Sequence, residues 1–435
     1  MRKVYYLLLL ALPAFVSGCK HADTGNGTEG SSKDTSASQW ADSTIVLPKG
    51  FQAITVADDV GRARHLAVRD NGDIYIQLSV EKNGKGIAAL RDEDGDGHAD
   101  RIEYFGSHTG TGMAIYKGFL YCSSDKEVYR YPLPEGTQLI PDESQRVLIV
   151  GGFPDQRSHD AKSITFDGQG HLYVNVGAPS NACTEPDRER GAKGQDPCPQ
   201  LQWHAGIWQF DANRTAQSQQ QDGLRYATGL RNCVAVQWNA AANSLYALQH
   251  GRDQLSYLYP DLYTDEDNAE LPAEEFLQID NGDDFGWPYC YFDQRKGQKL
   301  LAPEYGGDGV QQGRCAAIKK PIVAFPGHMA PNGLIFYTAA AFPERYRQGA
   351  FIAFHGSWNR APLPQKGYFV AFVPMKDGQP SGDWEIFADN IAGMETVAQP
   401  SDALHRPTGL AIGPDGALYI ADSVTGKVWK VVYSG

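Results

Sequence analysis

After its first twenty residues this 435-residue chain has no long apolar run, so no later stretch reads as a membrane-spanning helix. It also lacks an excess of positive charge. Its 39 Lys and Arg face 52 Asp and Glu, and the net charge of −13 argues against a nucleic-acid backbone as partner. No Cys-x2-Cys spacing occurs, which argues against a zinc site, and no Cys-x-x-Cys-His, which argues against attached c-type haem. No flavin motif is found either. Methionine is scarce, at 5 residues, whereas Gly (47) and Pro (25) are plentiful and charged residues make up 21%. That is the composition of a β-rich globular protein.

The one apolar run lies at the start. Arg2 and Lys3 precede YYLLLLALPAFV, and Val16-Ser17-Gly18-Cys19 follows. The run is too short for a permanent span, so residues 1–18 read as a signal peptide. Small residues directly before a cysteine resemble a bacterial lipobox, which implies cleavage before Cys19 and its lipidation. Residues 20–43 are rich in Ser, Thr, Asp and Gly without apolar periodicity, so segment 19–44 reads as a lipidated, flexible tether. The expected address is the periplasmic side of a bacterial envelope, anchored in a membrane (the outer one) only through Cys19. Removing Cys19 leaves an even number of cysteines, as suits disulfides in an oxidising compartment. Cys183 with Cys198 and Cys290 with Cys315 each bracket a polar loop and are expected to pair. Cys122 then joins Cys233, or both stay free.

From residue 45 onward one device repeats. A tight turn leads into an apolar strand at Gly72, Gly118, Gly170, Asn243, Gly349 and Gly416. Asn243 serves in place of glycine because Asn tolerates the left-handed turn conformation best after Gly. Each copy belongs to a run of four short strand patterns, and the last run lacks its fourth. The strand candidate Phe51–Val56 supplies it. Residues 45–435 are therefore predicted to be all-β, a six-bladed β-propeller of four-stranded antiparallel blades closed by its own N-terminal strand. The repeat spacing is irregular, and its largest excess, Asp253–His328, falls between blades four and five. Such insertions argue for loops that build a site.

The loops joining each outer strand to the next inner strand carry Arg64-His65, His108, His159, Arg231-Asn232, His328 and His405-Arg406. A lone histidine before a strand is ordinarily a packed residue. Six basic positions converging on one axis of an acidic protein point instead to an anionic, multidentate ligand, which guanidinium groups grip in bidentate fashion. A second signal is DEDGDGHADRIE. Asp92, Asp94, Asp96, Asp100 and Glu103 take calcium-loop positions 1, 3, 5, 9 and 12, with Gly97 at the sharp turn and the His98 carbonyl at position 7. The flanks are strands, so the expected ion is a structural calcium.

Gly229-Leu230-Arg231-Asn232, Gln249-His250-Gly251-Arg252, Asp284-Phe285-Gly286-Trp287-Pro288-Tyr289 and His355-Gly356-Ser357-Trp358-Asn359-Arg360 together resemble the quinoprotein sugar dehydrogenases, the soluble glucose, sorbosone and pyranose dehydrogenases that use pyrroloquinoline quinone (PQQ). PQQ is a planar tricarboxylate, the ligand type that a basic mouth suits. The resemblance implies that Arg231 and Asn232 contact the quinone and its carboxylates. Arg360 and Arg406 hold further carboxylates, and His108 makes a polar contact. Carbonyls of Gly251 and Arg252 ligate a second calcium, which binds PQQ and polarises its reactive carbonyl. Trp287 and Trp358 either stack on the quinone or sugar or pack between blades. His159 is the expected general base, oriented by Asp160 or another carboxylate. The order Ser158-His159-Asp160 departs from the soluble glucose enzymes, which place Asp before the base. Lys162 is a further candidate for the same site, although a lysine at a strand start is ordinarily solvated.

The implied activity is PQQ- and calcium-dependent oxidation of an aldose or related sugar, hydroxyl or hemiacetal to lactone or acid. Hydride passes to PQQ, and electrons leave to an external acceptor, a cytochrome or quinone. The alternatives from the fold are a calcium-dependent lactonase-type hydrolase and a non-catalytic binding propeller. The hydrolase needs carboxylates around a central metal, where these loops are dominated by Arg and His.

Overall fold

The computed structural model describes residues 39–435. Six sheets, each with four antiparallel strands, stand in a ring in chain order, and two of them gain a fifth, two-residue strand in parallel pairing: Gln217–Ser218 on the second blade and Asp283–Asp284 on the third. Blade one runs from Ala63–Val68 to Arg101–Phe105, and blade two from Met113–Tyr116 to Val147–Gly151. Blade three runs from Ile164–Phe166 to Leu224–Thr228, blade four from Ala235–Asn239 to Val323–Phe325, and blade five from Pro331–Phe336 to Glu385–Ala388. Blade six has Pro407–Ile412, Leu418–Asp422 and Val428–Tyr433, and its outer strand is Phe51–Ala57, paired antiparallel with Val428–Tyr433. The expected closure is thus formed. Each innermost strand packs beside the next, and that of blade six beside that of blade one.

Every blade must bury both faces, which is why its second strand is a nearly unbroken apolar run. His171–Val176, for instance, exposes only its first residue. Six hydrophobic clusters fill the six gaps between neighbouring blades. The cluster between blades five and six is the most aromatic, with Phe342, Tyr346, Phe351, Phe372 and Phe387 packed together.

Two expectations change. The stretch Asp253–His328 is not wholly an excursion between blades, because it contains blade four's own third and fourth strands, Glu274–Ile279 and Val323–Phe325. Glu274 and Glu275 head that third strand and disguise its apolar pattern, yet both are buried with polar partners. The end of the predicted tether is docked. The Trp40 ring stacks on His98 at 3.7 Å, and Ala41 bridges to Ile54. The Asp42 carboxylate accepts from Trp429 Nε1 at 2.9 Å and pairs with Lys427 at 2.7 Å. The signal segment, Cys19 and the rest of the tether lie outside the described residues. Among the described residues no helix is long and apolar enough to cross a membrane. Both expected disulfides, Cys183–Cys198 and Cys290–Cys315, are formed, and Cys122 and Cys233 are free and buried.

Candidate active site

Strands alternate in direction, so the loop joining strands two and three of a blade leaves from the same end of the ring as the loop to the next blade. Both sets meet over blades three to five around a cavity of about 410 Å³. Loops between blades bring Ser158, His159, Arg231, His328 and Ala330. Loops between strands two and three bring Arg188, His250, Gly251, Asp253, Trp358 and Asn359, and Glu274 heads the third strand of blade four. Converging basic residues mark only the first set, and the resemblance adds Gly251, Arg252, Trp358 and Arg360 from the second, so Arg188, Asp253, Glu274 and the role of Asn359 escaped both.

Arg231 and Asp253 form the electrostatic centre. Arg231 donates from Nη2 to Asp253 Oδ2 at 2.7 Å and to Asn181 Oδ1 at 3.1 Å, and from Nη1 to the Gly251 carbonyl at 2.8 Å. Arg188 reaches the same carboxylate at 2.8 Å, carried there by the loop that Cys183–Cys198 closes. Asn359 Nδ2 donates to Asp253 Oδ1 at 2.6 Å, and His328 Nδ1 lies 3.8 Å from that atom. Burial alone would raise the Asp253 pKa. Arg231, with His328 and Arg188, holds it well below the usual carboxylate range instead. Asn181 orients the group, because its side chain also bonds the backbone of Asp253 at both N–H and carbonyl.

His159 has φ +55, in the left-handed region, so its placement is imposed by its surroundings. Its Nδ1 lies 2.6 Å from the Ala178 carbonyl. A carbonyl only accepts, so Nδ1 carries the proton and Nε2 keeps its lone pair. Burial, then the nearby Arg231 charge, pushes the imidazole down to about 3, so it is neutral, with Nε2 unprotonated, at any ordinary pH. Gly177 is required here, since a Cβ on it would lie 2.6 Å from His159 Cβ and 2.8 Å from Asn232 Oδ1. Glu274 is the reverse case. Burial raises its carboxyl to about 8, although the N–H groups of Gly251 and Ala330 point at it.

The other expected residues divide. The pKa of His250 is lowered by burial and by Arg231 and Arg64, and that of His355 by burial and by Arg406, Arg64 and His250. Arg64, Arg231 and Arg406 therefore gather at one end of the axis. Arg406 does not line the cavity, because it donates to the carbonyls of His355 and Gly356. Asn232 is buried beside His159, behind the wall. Three expectations fail on geometry. Arg360 is almost fully buried and binds the carbonyls of Ala269, Gly327 and Pro364 and the Glu270 carboxylate, so it anchors the Trp358–Asn359 loop through the protein's own groups and does not line the cavity. His108 packs against Tyr129, away from the cavity. Trp287 donates to the Asn181 carbonyl and packs behind Arg231 against the Cys183–Cys198 bridge, leaving Trp358 as the aromatic wall. Asp160 does not orient His159, a task that falls to Ala178. Lys162 is buried, not solvated, and burial lowers it to about 8. The Arg252 side chain turns away to a buried pair with Glu304, whereas Gly251 stays in the wall. His405 binds Asp422 and Thr425.

In the calcium-type loop, the carboxylate oxygens of Asp92, Asp94 and Asp100 come within 4.8 Å of one another. Gly97 turns the chain at φ +94, and its N–H bonds Asp92. Asp96 accepts from Trp40 Nε1 at 2.7 Å instead, and the His98 ring stacks on Trp40. Glu103 remains in its strand opposite Ala89, bonded to Arg101, and is not brought to the cluster.

The family model described as TrAA12-like matches residues 45–434. A PQQ-dependent sugar dehydrogenase of Hypocrea jecorina is 22% identical over 453 residues, covering 99% of this chain and 97% of that one. The iodide structure of a carbohydrate-active enzyme of family AA12 from Trichoderma reesei superposes with a TM-score of 0.73 at 19% identity, covering 90% of this chain and 98% of that one. The holo form of the PQQ domain of pyranose dehydrogenase from Coprinopsis cinerea gives 0.70 at 19% identity, covering 89% and 97%. At these identities the structural likeness shows the fold. The family match spans the whole ring, and the chain belongs to the TrAA12-like family of sugar-oxidising oxidoreductases.

Proposed function

We propose that this protein oxidises an aldose or related sugar with PQQ and calcium in the cavity around His159, and passes the electrons to an external carrier. The observation that carries this reading is a neutral imidazole with a free Nε2 beside two guanidinium groups in one cavity. The donor set fits a planar polycarboxylate. Of the five N–H groups of Arg231, one is unengaged, and Arg188 keeps one on each terminal nitrogen. Trp358 offers an aromatic face. The Gly251 carbonyl accepts from Arg231 and keeps a second lone pair for a cation, with the Asp253 carboxylate as nearby counter-charge. The Arg252 carbonyl is the companion ligand. Bound PQQ supplies the hydride acceptor. His159 Nε2 takes the hydroxyl proton, Ala178 holds the ring in that tautomer, and the loop wall shields the reacting atoms from bulk water.

The Asp92–Asp94–Asp100 cluster supports a second, structural calcium away from the cavity. The N-terminal segment and the two disulfides support a periplasmic, lipid-anchored protein held through Cys19, which mass spectrometry of the mature N-terminus tests. Dye reduction by purified protein tests the activity. Turnover with a panel of aldoses must require both PQQ and calcium, and lactone opening without PQQ would establish the hydrolase instead.

A further inference from the structure

Past Trp358 the wall of the active cavity opens onto a second cleft of about 470 Å³, lined by Arg190, Tyr257, Asp265 and Asn268 and by Trp358 and Asn359, which both spaces share. Trp358 is 54% exposed and Tyr257 56% exposed, so two aromatic rings stand open in one concavity. Arg190 covers Tyr257 at 4.8 Å from the ring centroid and donates to its carbonyl, which holds the ring in place. Asp265 accepts from Ser256 Oγ at 3.0 Å. One cation and one anion leave the cleft without net charge, which disfavours an ionic ligand. Asn268 is only 6% exposed, and its Oδ1 has no hydrogen-bond partner; Asn359 Oδ1 is also buried and unpartnered. Unpaired buried carboxamide oxygens cost free energy that a hydroxyl donor relieves after a small turn of the amide.

We infer that this cleft is a second sugar subsite, and that the substrate is a neutral di- or oligosaccharide whose oxidised residue enters the His159 cavity while the next residue lies against Trp358 and Tyr257. This rests on reading the cavity as a sugar-oxidising site. Open aromatic faces take the C–H face of a pyranose, and the surrounding polar groups take its hydroxyls. The test uses PQQ- and calcium-loaded protein with glucose and galactose against cellobiose, maltose and lactose, in wild type and Tyr257→Ala. The expected result is a disaccharide whose kcat/KM exceeds that of its monosaccharide by about tenfold, the worth of one good aromatic contact, with the advantage lost in the variant. An advantage that is absent, or unchanged in Tyr257→Ala, overturns the subsite. So does a variant whose only change is in the KM of the electron acceptor. If no sugar is turned over, the proposed activity fails, and calorimetric titration with cellotetraose still decides: binding lost in Tyr257→Ala supports the subsite, and no binding to wild type overturns it.

Discussion

His159 is held by a left-handed backbone and a hydrogen bond from Nδ1 to Ala178, and burial, with the Arg231 charge, keeps the ring neutral. Exchanging it for glutamine should lower kcat by ~10²–10⁴-fold and leave PQQ affinity within about tenfold of wild type, as stopped-flow reduction and equilibrium titration will show. The same burial makes the apoprotein acid-sensitive. His159 is pushed to about 3, and His65 and His250 each to about 4, all below the unfolded value of 6.5. Between pH 6.5 and about 4 the unfolded chain binds protons that the folded one refuses, so stability falls as pH falls through that window. Urea midpoints of the apoprotein should decline across it, and His65→Asn should flatten the decline. Glu274, raised to about 8, acts in the opposite sense, removing stability as pH rises from 4.5 through 8.

At the scale of elements, the site depends on loops pinned from behind. Lys299, on the hairpin inserted in blade four, pairs with Glu275 at 2.6 Å; Gln249 donates to Glu275 at 3.0 Å and accepts the backbone N–H of Arg231 at 2.7 Å. All four residues are buried. Lys299→Met strands the Glu275 charge and should cost about 3–5 kcal/mol, whereas adding Glu275→Gln should recover much of it, as chemical denaturation will report. Gly177→Ala forces a methyl against His159 and should cost about 1–3 kcal/mol by the same measurement, with a loss of kcat. The blade strands were legible because burial on both faces leaves one repeated apolar pattern. The outer strands of blade four were not, because Glu274 and Glu275 are masked as polar until their partners are known. The site was half legible. His159 and Arg231 stand where strand-to-strand loops must converge, whereas Arg188 and Asp253 reach it along loops whose path no local spacing reveals. Arg360 misled because its motif neighbour Asn359 does meet the site while its own side chain turns into the protein, and Trp287 misled because it packs against Asn181 and the Cys183–Cys198 bridge, so side-chain direction within a motif is set by packing.

At the scale of the whole molecule, the ring is held shut by Phe51–Ala57 and by the residues before it. Starting the chain at residue 45 removes the Trp40 stack on His98 and leaves Lys427 and Trp429 Nε1 without Asp42. Such a truncation should destabilise the protein by about 1–3 kcal/mol through the buried Trp429 Nε1 left without its acceptor, relative to a chain starting at residue 39, and the two melting curves compare directly. The central claim is that one end of this ring clasps a quinone between Arg188, Arg231 and His159. Spectroscopic titration of apoprotein with PQQ in calcium, followed by addition of sugar, tests it most directly. The account predicts uptake of one PQQ per chain, bleaching of the quinone by sugar, and strongly weakened uptake in Arg188→Ala. Absence of saturable uptake, or uptake indifferent to Arg188, would contradict it.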